Sequence, residues 1–325
     1  MNSDSEIAPR GPARVLGADP AALDEAARVI LAGGLVAVPT ETVYGLAADA
    51  TNGAAVAAIY TAKVRPSFNP LICHVADLAM ALSLAEMSPL ARRLAQRFWP
   101  GPLTLVLPRR PSCPVHDLAT AGLPSIALRQ PQHIATLGII SRVGRPLAAP
   151  SANPSEQLSP TTAAHVAAGL GERIDLIIDG GACLAGLEST IVAPGENGAA
   201  LLRAGALPRS QIELLTGPLR SPDLASGVVA PGMLRRHYAP RARLRLSATS
   251  VGEGEAFLAF GAPPRGVSPS LNLSIRGDLA EAASNLFAML RVLDSSHSAI
   301  AVAPIPEVGL GEAINDRLRR GAALS

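Results

Sequence analysis

Lysine is almost missing from this sequence: 27 of its 28 basic residues are arginine, and the one lysine is Lys63. A Walker-type phosphate loop needs Gly-Lys-Ser/Thr, and Lys63 follows Ala62, so that loop is excluded. The arginine bias reads as codon composition, which makes the lysine at this one position worth explaining. Aromatic residues are only 3% of the chain, too few for a broad base-stacking platform. Cys73, Cys113 and Cys183 are odd in number and far apart, indicating neither a disulfide framework nor a Cys-x-x-Cys zinc site. The six histidines include no His-x-x-x-His pair, so no metal centre and no zinc is expected. An excess of one charge is also lacking: 28 basic against 26 acidic residues leave +2, and bulk electrostatics do not mark a nucleic-acid binder. The longest apolar run, Val29–Val38, is broken by Gly33-Gly34 and closed by Pro39, too short to cross a bilayer. The opening Met1-Asn-Ser-Asp-Ser-Glu has neither the basic start nor the apolar core of a secretory signal. A soluble, cytoplasmic protein without membrane contact is the expectation.

What is present is material for a core, with 48% hydrophobic and 17% charged residues, and 325 residues suggest about two domains. From Pro20 to Leu215 helical and strand patterns alternate. Asp19-Pro20 is a cap followed by a proline at the first helical position, and Leu23, Ala26, Ala27, Ile30 and Leu31 make one apolar face ending at Gly33-Gly34. Buried strands are expected at Leu35–Val38, Leu71–Val75, Leu103–Leu107, Ser125–Arg129, Pro146–Ala149, Leu176–Asp179, Thr190–Ala193 and Leu201–Arg203. Helices fit at Ala54–Ala62, Pro89–Phe98, His133–Val143, Pro160–Ala168 and Arg209–Leu215. Some strands follow too closely for helical crossovers, so the fold class is α/β with a twisted mixed sheet. Thr216–Pro231, rich in Gly, Pro and Ser, reads as a linker. Strand patterns at Arg243–Leu246, Phe257–Phe260 and Ala299–Val302, with a helical period from Leu279 to Leu293, indicate a small C-terminal α/β domain.

Polar residues gather where strands end. Val38 runs into Pro39-Thr40-Glu41-Thr42-Val43-Tyr44-Gly45, and Pro146–Ala149 into Pro150-Ser151-Ala152-Asn153-Pro154. A helix ends in Lys63-Val-Arg65-Pro66, followed by Asn69-Pro70. In open α/β sheets such loops bind ligands. Two cations at i and i+2, stiffened by a proline, suit a polyphosphate, and Arg129 at a strand end could clamp a carboxylate. Each feature also has a plainer reading. Lys63 and Arg65 fit a solvated helix end, His74 a hydrogen-bonded core histidine, Ser151–Asn153 a turn, and Thr40 and Thr42 local backbone bonds. The residues alone carry the reading as far as an α/β protein that binds a small phosphate-bearing anion.

In these same loops the sequence resembles the YrdC-like threonylcarbamoyl-AMP synthases. The matching motifs are Pro39-Thr-Glu-Thr-Val-Tyr-Gly-Leu46, Lys63-x-Arg65-Pro66, Asn69-Pro-Leu71, Trp99-Pro-Gly-Pro-Leu-Thr104, Pro150-Ser-Ala-Asn153 and Glu188-Ser-Thr-Ile-Val192, in order. Ala230-Pro-Gly-Met233 and His237-Tyr-Ala-Pro240 are similar to the linker of the two-domain form. Val64 departs from the pattern, since the family often has glycine there, and the tail matches weakly. The resemblance implies an N-terminal extension (1–19), a YrdC-like catalytic domain (20–216), a linker or lid (217–240) and a small Rossmann-like C-terminal domain (241–325). It implies that L-threonine, bicarbonate or CO2, and ATP with Mg2+ yield L-threonylcarbamoyl-AMP and pyrophosphate. The product would pass to a tRNA threonylcarbamoyltransferase complex, with a weak direct contact to tRNA as a further expectation. Carried over by position, Lys63, Arg65, Asn69, Ser125, Ser151, Asn153, Ser159 and Arg203 would surround ATP, with His237 and Tyr238 reaching over the triphosphate from the linker. Thr42, His74, Arg129, Ala149 and Ser189 would hold threonine, with Thr40 an alternative to Thr42. Lys63, Arg65, Ser151 and Asn153 would carry the chemistry. Two rivals compete: an RNA-binding module of the same fold, and the carbamoyl-transfer domain of hydrogenase maturation proteins. The second wants zinc-finger cysteines that are not visible here.

Overall fold

The computed structural model of the chain describes residues 11–66, 68–196, 198–221 and 237–323. Helices start where the sequence supplies caps. The Asp19 carboxylate accepts from Ala22 N at 3.0 Å to open α1 (Pro20–Leu31). Asn52 opens α2 (Gly53–Lys63), which stops at Val64 with φ 52°. The others in the first part of the chain are α3 (Leu78–Leu84), α4 (Pro89–Phe98), α5 (Asp117–Thr120), α6 (Ile134–Val143), α7 (Ala163–Leu170) and α8 (Arg209–Thr216). Among the described residues no helix is long and apolar enough to cross a membrane.

The strands between them are β1 (Arg14–Gly17), β2 (Val36–Val38), β3 (Gly45–Asp49), β4 (Ile72–His74), β5 (Leu103–Pro108), β6 (Ser125–Arg129), β7 (Leu147–Ala148), β8 (Leu176–Asp179), β9 (Thr190–Gly195) and β10 (Gly198–Arg203). They form one sheet in the order β1-β8-β2-β3-β7-β4-β6-β5-β9-β10. Parallel pairs (β1 with β8, β4 with β6, β5 with β9) mix with antiparallel ones (β2 with β3, β5 with β6, β9 with β10), as the close spacing of strands required. A second sheet of parallel strands, β11 (Arg243–Arg245), β12 (Ala256–Ala259), β13 (Leu271–Asn272) and β14 (Ala299–Val302), runs β11-β14-β12-β13 and packs with α9 (Leu279–Asp294) and α10 (Leu310–Ala322).

Several elements depart from the sequence reading. The polar turn after β2 is shorter than expected, because Gly45–Asp49 is a fully buried strand paired to β2 and β7. Its Gly-Leu-Ala-Ala-Asp sequence has no β-branched residue, so neighbours on both sides impose the conformation. Arg14–Gly17, read as part of an N-terminal extension, pairs with β8 at the sheet edge, where exposure hides it from hydrophobic patterning. The helix expected from Pro160 starts at Ala163, behind a Thr162 cap. Helices α3, α5 and α10 and strand β13 were not anticipated.

The two faces of the large sheet are covered unequally. One face carries the largest core, including Tyr44, Leu46, Cys73, Leu105 and Leu128. On the other face α1 and α6 pack over β2, β3, β7 and β8. Farther along, Ile72, Val106, Ala127, Ile191 and Leu202 form a separate small apolar cluster. Directly paired residues share a face, so Ile72 with Ala127, and His74 with Arg129, point to this side. The functional cavity opens here.

Candidate active site

Four strands end at one cavity. Thr40 and Thr42 follow β2, His74 closes β4, Arg129 closes β6, and Ala149, Pro150 and Ser151 follow β7. The remaining walls are Arg65, Glu188, Ser189, Arg203, His237 and Tyr238 with Val43, Gly45 and Ile72. Of the residues singled out from sequence, Thr42, Arg65, His74, Arg129, Ala149, Ser151, Ser189, Arg203, His237 and Tyr238 therefore share one lining. Lys63, Asn69, Asn153 and Ser159 are buried but do not line it. Ser125 lies at the opposite end of β6 from Arg129, on the same sheet face. The Ala230–Met233 stretch lies outside the described residues.

Two threonines follow β2, and their hydrogen bonds separate their roles. The Thr40 hydroxyl donates to Val43 O at 2.6 Å and accepts from Thr42 N at 3.1 Å, so it closes the turn. With that proton committed, the Thr42 hydroxyl donates to Thr40 Oγ1 at 2.8 Å and keeps its own lone pairs for another donor. Arg129 is buried, with Nε donating to Gly101 O at 3.2 Å and Nη2 to Glu41 Oε1 at 2.7 Å. Glu41 is fixed in turn by Gln132 N at 2.9 Å. Those contacts leave Nη1 of the fork uncommitted. Burial, then the adjacent Arg129 charge, pulls His74 well below the usual histidine range, so its imidazole is neutral.

Lys63 is not the solvated helix end that its position allowed. It is 1% exposed, and its ammonium donates to the carbonyls of Ser151, at 2.5 Å, and Asn153. Lys63 O also accepts from Ser155 N at 2.8 Å, so the end of α2 and the loop after β7 are one unit. Burial, then Arg65, lowers Lys63 well below the usual lysine range, against a weaker opposing effect of Glu188. Arg65 donates to Asn69 O and Pro70 O at 3.3 and 3.1 Å, and burial brings its guanidinium down to about 10. Arg203 donates to Ser189 O at 2.8 Å, while Ser189 Oγ meets Thr104 Oγ1 at 2.7 Å.

His237 and Tyr238 reach this cluster from the far side of the chain. Their rings meet edge to face at 3.9 Å, and both side chains are buried. Burial, followed by the charges of Arg65 and Lys63, keeps His237 well below its usual range. Glu188, within the Glu188–Val192 motif, is a wall residue that the sequence alone did not single out, and Arg317 carried no sequence signal. Glu188 accepts from the Ser159 hydroxyl and, at 2.8 Å, from Arg317 Nε. Burial works to raise its carboxyl, but Arg317 and Arg203 outweigh that and hold it below the usual range.

Six buried polar atoms here lack a hydrogen-bond partner: Asn69 Oδ1, His74 Nδ1, Asn153 Oδ1, His237 Nδ1, the Tyr238 hydroxyl and Arg317 Nη2. Each would cost about 1–3 kcal/mol if left so, and three of them, on His74, His237 and Tyr238, belong to residues of the cavity lining, which suits a polar ligand. The chemistry of the walls is divided. Arg65, Arg203, His237 and Tyr238 suit a polyanion, whereas Arg129, His74 and Thr42 suit a small zwitterion with a carboxylate.

A cavity so divided, at the strand ends of an α/β sheet, is the kind of site found in α/β enzymes. A Sua5/YciO/YrdC family model, described as telomere recombination, matches residues 28–205. A model described as threonylcarbamoyl-AMP synthase, C-terminal domain, matches residues 207–323. The chain is 41% identical to a threonylcarbamoyl-AMP synthase of Pyrococcus abyssi over 91% of its own length and 93% of the relative's. A Bacillus subtilis protein of the same name is 38% identical, over 92% of each chain. The crystal structure of P. abyssi Sua5 complexed with L-threonine superposes with TM-score 0.87 at 38% identity, covering 95% of this chain and 97% of that one. The chain belongs to the Sua5/YciO/YrdC family, in its form with a threonylcarbamoyl-AMP synthase C-terminal domain.

Proposed function

We propose that this protein is an L-threonylcarbamoyladenylate synthase, converting L-threonine, bicarbonate or CO2, and ATP into L-threonylcarbamoyl-AMP and pyrophosphate. The observation that carries the reading is the divided wall of one cavity, cationic on the Arg65–Arg203 side and carboxylate-binding on the Arg129 side. Arg129 Nη1 is suited to the threonine carboxylate, the Thr42 lone pairs to a donor on the amino acid, and Ala149 to its methyl group. Neutral His74 can accept or donate without adding charge beside Arg129.

The amine of threonine, as its neutral base, attacks CO2 and releases one proton to solvent as the carbamate forms. A carbamate oxygen then attacks the α-phosphorus of ATP, and pyrophosphate leaves. The reaction needs no covalent protein nucleophile, so positioning and charge stabilisation supply the rate. Arg65 and Arg203 offset charge on the phosphates. Lys63 acts from behind the wall, anchoring the Ser151–Asn153 loop with two of its N–H groups and adding positive charge near the phosphates. The apolar patch of Val106, Ala127 and Leu202, with Ser125 on the same face, offers a platform for the adenine. ATP would bring Mg2+ as part of the substrate complex. No cluster of three or more His, Cys, Asp or Glu able to hold a metal occurs among the described residues. Because a carbamate decomposes in water, His237 and Tyr238 over the cavity have a purpose as a cover. The product would serve a transferase that modifies tRNA in the cytoplasm.

Pyrophosphate release that requires both threonine and bicarbonate tests the reading. Release without threonine, or none with all three substrates, would refute it. A site that hydrogen-bonds the threonine hydroxyl should also prefer threonine to 2-aminobutyrate, with serine between them.

A further inference from the structure

Arg317 is one of the largest fully buried side chains in the protein, at 1% exposure, and it belongs to α10 of the second sheet's domain. Its Nε donates to Glu188 Oε2 at 2.8 Å, across 129 residues of sequence, and its Nη1 to Asp316 Oδ2 at 2.6 Å. Its guanidinium carbon lies over the Tyr238 ring, 4.8 Å from the centroid. Four residues on, Gly321 lets the same helix close on the same tyrosine. A Cβ at 321 would come within 2.8 Å of the Tyr238 carbonyl oxygen. Positions i and i+4 lie on one helix face, so one face of α10 meets both the ring and the backbone of Tyr238.

Tyr238 requires such support. Its φ of 60° is left-handed, a conformation that a large side chain keeps only when its surroundings over-determine it. Ala239 N donates to Glu156 O at 2.7 Å, and Phe287 of α9 stacks on the ring at 5.8 Å. The tyrosine hydroxyl, meanwhile, has no partner and belongs to the cavity wall. Burial acts against the Arg317 charge, yet Tyr238, Glu188 and Asp316 together hold it above the usual arginine range. It is therefore a permanent cation that touches two residues of the cavity wall, Glu188 and Tyr238, from behind.

We propose that Arg317 is a positioning residue of the synthase site, through which the C-terminal domain holds Tyr238 and the Glu188 carboxylate around the bound nucleotide. The inference rests on the function proposed above and extends it: the catalytic domain's site is completed by a helix of the other domain. Three variants of the full chain separate the contributions. Arg317→Met removes the cation and keeps an apolar stem in the buried channel. Glu188→Gln/Arg317→Met removes both members of the buried pair, so that neither charge is orphaned. Gly321→Ala leaves the pair intact and presses on Tyr238. ATP affinity by calorimetry, thermal unfolding, and KM for ATP and threonine from pyrophosphate release are the readouts.

The dissociation constant and KM for ATP should rise at least tenfold in all three variants, with KM for threonine within twofold of wild type. The double variant should recover the wild-type unfolding temperature without recovering ATP affinity. If it regains both, Arg317 only neutralises Glu188 and the proposal is overturned. Equal losses for both substrates would mean general loosening and overturn it as well. If Arg317→Met does not fold, the double variant and Gly321→Ala decide. A wild-type protein that binds no ATP would instead refute the functional reading itself, before any variant is compared.

Discussion

Replacing Lys63 by methionine isolates what the one lysine does. Methionine keeps most of the length and apolar stem, so the buried channel stays filled, but it donates no hydrogen bond. The carbonyls of Ser151 and Asn153 lose their shared donor. Leaving a buried carbonyl such as that of Asn153 unsatisfied costs about 1–3 kcal/mol. Removing a desolvated ammonium whose charge is already disfavoured returns part of that, so the loss of folding stability should be about 1–2 kcal/mol. Activity should suffer more. The loop from Ser151 to Asn153 is no longer tied to α2, and a displacement of about 1 Å can cost roughly a hundredfold in rate. Pyrophosphate release under saturating threonine and bicarbonate should fall by about that factor, with thermal unfolding reporting the smaller loss. Wild-type turnover in the variant would refute this account of Lys63.

Val64 sits at φ 52° and is 71% exposed, where a left-handed β-branched residue is disfavoured by roughly 1–2 kcal/mol. Val64→Gly should recover that less about 0.4–1 kcal/mol of unfolded-chain entropy, raising the unfolding temperature slightly; a lower one contradicts the strain argument. Arg129→Lys exchanges a fork held by Glu41 and Gly101 for a single ammonium, and KM for threonine should rise about tenfold or more while KM for ATP moves little; equal changes in both would count against the assignment. Buried His74 and His237 have folded-state pKa values well below 6.5, so the unfolded chain binds more protons as the pH falls below that value. Stability should therefore drop on acidification from pH 6.5 toward the depressed values, by up to about 1.4 kcal/mol per pH unit for each histidine. Thermal unfolding between pH 7.5 and 5.5 measures this, and a flat profile would mean that neither histidine is held neutral.

Local signals were readable wherever a short stretch of chain sets its own conformation. The Asp19-Pro20 start, the helix at Pro89–Phe98, and the buried runs at Ser125–Arg129 and Leu176–Asp179 fall where the folded chain has those elements. The strand-end loops were legible too, because polar residues directly after buried strands have few structural reasons to be there. Gly45–Asp49 was not legible, since small residues acquire strand geometry only from partners on both sides. The edge strand Arg14–Gly17 was missed for the converse reason, having one partner and little burial.

The sequence by itself determined the α/β class, the mixed sheet and the family, because periodicity, caps and ordered motifs are properties of neighbouring residues. It also showed that Lys63 is unique, but only tertiary structure decided that its ammonium ends on two backbone carbonyls 88 and 90 residues away. Thr42 was expected at the ligand with Thr40 as the alternative, and the direction of two hydrogen bonds separates them. Arg317 carried no signal at all, one arginine among 27 in a weakly matched tail. Its importance comes from α10 meeting Glu188 and Tyr238, and contacts across domains depend on how two cores pack, which no local pattern encodes.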